Sequence, residues 1–71
     1  MVEIKKPSSK IQVNGVEWEL FNGEYGPMGL GPYGAYDKYQ AKEQMGLWIY
    51  ADGYARIKKL PKSDWYFVYV R

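Results

Sequence analysis

The side chains of this 71-residue chain that could act on another molecule are mostly rings and cations: eight tyrosines, three tryptophans and ten Lys and Arg residues, against eight Asp and Glu. Cysteine and histidine are absent. The chain therefore lacks the usual thiolate nucleophile, imidazole base and ligands for zinc, copper or iron. Only carboxylates are left for acid–base work. Asp37, Asp52 and Asp64 sit where a cap or a turn needs an aspartate, and Glu17 and Glu19 stand two apart on one strand. A glycosidase opposes its two carboxyls across a cleft, which neighbours on one strand cannot do. The expectation is a non-enzymatic chain with no metal and no cofactor.

Gly29-Leu30-Gly31-Pro32-Tyr33-Gly34 matches the spelling GxGxxG. That motif cradles a pyrophosphate only between a strand and a helix of a parallel βαβ unit. The chain is too short for a dinucleotide domain and its loop holds no lysine, so nucleotide binding is rejected.

Two groups of residues remain as binding candidates. Tyr54, Arg56 and Lys58 alternate along one run, with Lys59 and Lys62 nearby. Rings that stack bases beside cations that track phosphates are the composition of small barrels that bind single-stranded nucleic acid. The second group is Tyr25, Met28, Tyr33 and Tyr36, which sit with Leu30 on a Gly/Pro backbone; Tyr and Met are enriched at protein interfaces. The leading expectation is a domain that docks on a protein partner or on a second copy of itself through these seven residues. Single-stranded nucleic acid is the alternative ligand. The stretch Leu47–Tyr54 also has the aromatic-turn-aromatic look of a glycan-binding hairpin, but the repetition such modules need is missing.

Net charge is +2 and unevenly spread. Residues 11 to 37 carry four carboxylates and no Lys or Arg, whereas residues 38 to 71 carry seven cations and three carboxylates. Such asymmetry steers partners and says little about fold. The first ten residues are polar with no apolar leader core, and the longest apolar run, Trp65–Val70, is far too short to cross a bilayer. The expected setting is cytoplasmic, with no membrane contact.

The elements that must hold these residues are chiefly strands. Met1–Lys10 is expected as a flexible basic arm and residues 11–71 as a single β domain. Asn14-Gly15 has the residue types of a two-residue type I′ turn, and the pairing it sets puts Ile11, Val13, Val16, Trp18 and Leu20 on one face. Residues 22 to 36 hold five glycines and two prolines and read as a long loop. Asp37 can cap a short helix near residues 38–45, with Gln40 completing the box, Tyr36 and Ala41 as a staple and Gly46 as the stop. Asp52-Gly53 suggests a second hairpin between strands at 46–51 and 54–60, pairing Ala51 with Tyr54, Ile49 with Arg56 and Leu47 with Lys58. In that register Trp48, Tyr50, Ala55 and Ile57 face the core. Trp65–Val70 must be central, covered by a loop, or paired with another chain, because an exposed edge strand of such apolarity would aggregate. The fold class is mainly β: a small twisted antiparallel sheet or a partly open SH3- or OB-like barrel of about five strands. Trp18, Trp48, Tyr50, Trp65 and Phe67 or Tyr66 are the expected core rings, leaving Tyr25, Tyr33, Tyr36 and Tyr54 as the surplus.

Overall fold

The structure is a computed structural model that describes residues 6–71; the first five residues of the expected arm lie outside the described residues. Four strands, β1 (Lys10–Val13), β2 (Val16–Leu20), β3 (Ala55–Lys59) and β4 (Tyr66–Val70), form one antiparallel sheet in the order β1-β2-β4-β3. One helix, α1 (Lys38–Tyr50), packs on the sheet, and a 3-10 turn spans Pro32–Gly34. The sheet is open, with β1 and β3 at its edges.

The first hairpin forms as its turn demands. Asn14 and Gly15 take φ of 52° and 78°, the left-handed pair that twists a two-residue turn in the sense of the strands. Val13 then faces Val16 and Ile11 faces Trp18. Ser9 O accepts from Leu20 N–H at 2.8 Å, so the ladder continues beyond Lys10.

The run Leu47–Tyr50 is helical, and this corrects the second hairpin and its register. Asp37 caps the helix as expected, its side chain accepting from Gln40 N–H at 2.7 Å, and Tyr36 and Ala41 meet in the core as the staple. The helix then runs straight through Gly46. Ala41, Met45 and Trp48 recur at helical spacing and pack on the core, which offsets the cost of about 1 kcal/mol for a mid-helix glycine. Asp52-Gly53 closes the helix instead of turning a hairpin. Asp52 takes φ of 66°, its N–H donates to Ile49 O at 3.0 Å, and Gly53 N–H donates to Trp48 O at 3.1 Å, the paired bonds of a Schellman stop. A Cβ at Gly53 would lie 2.1 Å from the Trp48 indole nitrogen, so the ring's seat requires glycine there. Losing the 46–51 strand leaves four strands where about five were expected.

β4 is central, between β2 and β3, and Phe67, Val68, Tyr69 and Val70 are all buried. It therefore feeds two cores. Val68 and Val70 meet Phe21, Tyr36 and Ala41 on the helix side, with Met45, Trp48 and Ile57 packed around them. Phe67 and Tyr69 meet Leu20 and Ala35 on the other side, flanked by Ile11, Trp18, Leu60 and Trp65. Tyr36 is a correction: expected as a surplus surface ring, it is 0% exposed, and its phenol donates to Pro27 O. Tyr50 is the converse: expected in the core, it is 91% exposed, because the helical phase of Trp48 turns it outward.

The loop of residues 22–36 is clipped to β4. Buried Asn22 accepts from Val68 N–H and donates to Gly34 O, both at 2.9 Å, and Tyr36 bridges to Tyr66 through two backbone bonds of 2.8 Å. Its glycines answer to packing. A Cβ at Gly29 would fall 2.0 Å from Ala35 O and one at Gly31 would fall 2.4 Å from the Trp65 ring, so the GxGxxG spelling is explained by close approach within the loop.

Candidate functional site

Strand register assembles one cluster on the sheet face opposite α1. Leu20 pairs with Tyr69 and Arg56 pairs with Tyr69, so these side chains share a face. One step along, Tyr54 and Arg71 exchange backbone bonds of 2.9 and 3.0 Å, which brings Arg71 beside Trp18 on the same face. The Arg71 guanidinium carbon lies 4.3 Å from the Tyr54 ring centre and 5.2 Å from that of Trp18; Arg56 lies 5.5 Å from Trp18. Each contact is a cation–π stack, worth about 0.5–1 kcal/mol where exposed. These contacts hold two guanidiniums beside the rings of Trp18 and Tyr54.

Carboxylates are segregated from this cluster. Glu17 and Glu19 alternate with Trp18 and so point to the other side of β2. Among the described residues the one ion pair is Lys10–Glu17 at 3.3 Å, on that other side. Glu19 accepts from the Tyr25 hydroxyl at 2.6 Å, and this bond, followed by burial and the charges of Glu19 and Glu24, raises the Tyr25 phenol above its ordinary value.

Beside the cluster, residues of both edge strands, β1 and β3, line one cleft of about 490 Å³, bounded by Ile11, Gln12, Val13, Arg56, Ile57 and Lys58. β1 pairs only with β2 and β3 only with β4, so each presents one row of unpaired backbone groups. Extended chain occupies roughly 4.8 × 10 × 3.3 Å per residue, which makes the cleft about three residues long. Arg56 belongs to both the cleft and the stacked cluster.

The seven residues expected as a binding set fall in three places. Tyr54, Arg56 and Lys58 lie together on the exposed cluster and cleft. Tyr25 is half exposed and leans on Trp48 at 5.5 Å between ring centres, across the sheet end from Arg71, whose carbonyl accepts from the Trp48 indole at 3.3 Å. Met28 and Tyr33 are exposed in the clipped loop, and Tyr36 is core. Met28 also packs: a Cβ at Gly23 or Gly34 would strike its sulfur or methyl at 2.4 and 2.5 Å. Gly31 sits by Trp65 at one end of β4 and Tyr54 by Arg71 at the other, about 20 Å apart at 3.3 Å per residue, so the Gly31 part of the loop is separate from the cluster, whereas Tyr25 lies near its Arg71 end. Trp18 and Arg71 were missed as site residues because their roles depend on cross-strand register.

Among the described residues no helix is long and apolar enough to cross a membrane, and no three His, Cys, Asp or Glu side chains converge as a metal site. Comparison with known proteins finds no matching family model, no matching curated protein and no matching solved structure.

Proposed function

We propose that this chain is a non-enzymatic protein-interaction domain whose partner contributes a short extended segment, bound as an added strand between β1 and β3. The supporting observation is that residues of both edge strands, each with one unpaired side, line the same cleft. Added-strand binding draws affinity from main-chain hydrogen bonds and specificity from the side chains around the slot. Here those are Arg56 and Lys58 at the cleft and Arg71 behind it, with no facing carboxylate among the described residues, so the segment is acidic. Selection of displayed random eight-residue peptides on the immobilised domain tests this. Acidic, β-prone peptides enrich on the native chain and not on the Arg56→Glu/Lys58→Glu variant. Equal enrichment on both, or none, refutes it.

A second reading, a binder of single-stranded nucleic acid, draws on the same unopposed cations beside Trp18 and Tyr54. The guanidiniums already lie over these rings, at 4.3–5.5 Å from their centres, and so compete with bases for the same platform. Titration with an oligothymidylate of about 20 nucleotides at low and moderate salt decides it: this reading requires retention that weakens steeply as salt rises.

A further inference from the structure

α1 is apolar on both sides. Ala41, Met45 and Trp48 meet the sheet, yet on the outer side Tyr39 is 88% exposed and Tyr50 91%, with Leu47 and Ile49 more than half exposed beside them. An exposed cluster of large apolar side chains on a helix ordinarily marks a contact surface. Gly46 lies on the same outer line as Tyr39 and Tyr50, seven residues on from the first and four before the second. A Cβ there would meet nothing within 4 Å, so no contact inside the chain explains a glycine at a helix-weakening position.

We propose that the outer face of α1 packs against α1 of a second copy in a parallel, two-fold pair that crosses at Gly46. Charge selects the occupant and its direction. With Tyr39, Gly46 and Tyr50 on the seam, Lys42 flanks one side and Glu43 the other. A two-fold axis along the seam sets Lys42 against the partner copy's Glu43, and Ile49 against its Leu47, each twice. Antiparallel pairing about Gly46 would instead set Lys42 opposite the partner copy's Ile49–Tyr50 turn and about 12 Å along the axis from its Lys42, leaving both charges unpaired. The missing Cβ at Gly46 lets the backbones approach at the crossing, and the two copies bury the same patch. The surface is distinct from the cleft, so a pair would offer two clefts to a bivalent partner.

Sedimentation equilibrium of the full chain from about 10 μM to 1 mM tests the pairing. A reversible monomer–dimer equilibrium is expected. Lys42→Glu, which replaces two attractions by two repulsions, raises the dissociation constant about tenfold, and Lys42→Glu/Glu43→Lys restores it. Gly46→Ala separates association from folding: the dilute monomer melts about 4–8 °C higher because the helix improves, while dimerisation weakens at least tenfold. A monomer at all concentrations overturns the proposal, as does a dimer insensitive to Lys42→Glu and Gly46→Ala. A dimer that the charge swap fails to restore overturns the parallel arrangement.

Discussion

Replacing Asn22 by alanine removes the clip between the long loop and β4. In the native chain Asn22 closes two buried bonds of 2.9 Å, one from Val68 N–H and one to Gly34 O. Alanine leaves a backbone donor and a backbone acceptor without their side-chain partner in a site where Asn22 itself is only 4% exposed. Each unsatisfied buried group costs about 1–3 kcal/mol, so the loss for two is about 2–6 kcal/mol. A domain of this length has roughly 4–11 kcal/mol in total, at about 0.05–0.15 kcal/mol per residue. A central loss of about 4 kcal/mol lowers Tm by roughly 16–32 °C. Urea unfolding followed by tryptophan fluorescence gives the free energy, and amide exchange at Val68 reports the orphaned donor directly. Asn22→Asp should fail to rescue, because its second oxygen faces the Gly34 carbonyl without a proton to donate at neutral pH. A loss under about 0.5 kcal/mol for Asn22→Ala, with Val68 still protected, would refute the accounting.

Tyr36 gives a pH signature: burial pushes its phenol up to about 12, and burial also raises Tyr69. Ionisation therefore favours the unfolded chain, so stability holds below the ordinary phenol value near 10 and falls as pH rises toward 12; alkaline urea melts should show that decline, and Tyr36→Phe should reduce it. Gly29→Ala should cost more than about 3 kcal/mol or abolish folding, since its Cβ would collide with backbone rather than a movable side chain; a near-native melt would contradict the loop's packing. Tyr33→Ala should leave Tm within a few degrees of native, because the ring is half exposed and the residue carries a strained φ of 54°; a large loss would show that the ring supports the loop. Arg71→Ala should weaken peptide capture while leaving the fold intact, checked by comparing affinity with the urea midpoint.

Local chemistry was legible wherever it acts alone. Asn14-Gly15 fixes its own turn and so the register of β1 and β2, and Asp37 with Gln40 fixes the start of the helix. Trp65–Val70 ruled out an exposed edge strand, and of the central, loop-covered and chain-paired positions left open the structure takes the central one. The failure at 46–53 has a physical origin. Asp-Gly suits any left-handed position, and a helix stop uses one as readily as a hairpin does. Periodicity could not arbitrate, since Leu47-Trp48-Ile49-Tyr50 is apolar on every side of a helix and on both sides of a strand. Tyr36 was misplaced for a related reason: residue type suggested surplus, whereas its burial follows from standing just before the capping aspartate, where the staple turns it inward. Half of the site was visible in Tyr54, Arg56 and Lys58. The other half, Trp18 and Arg71, is 53 residues apart in sequence and exists only through pairing of distant strands.

β4 follows in sequence every element it joins, and this sets the order of assembly. The first hairpin and α1 are local and can form within microseconds, but neither core closes until Tyr66–Val70 arrives between β2 and β3. During synthesis the nascent hairpin thus shows an unpaired edge and the apolar side of Trp18 and Leu20, with only transient cover. A ribosome-stalled chain ending before Tyr66 should be protease-sensitive and bound by holding chaperones, and release of the next few residues should convert it in one cooperative step.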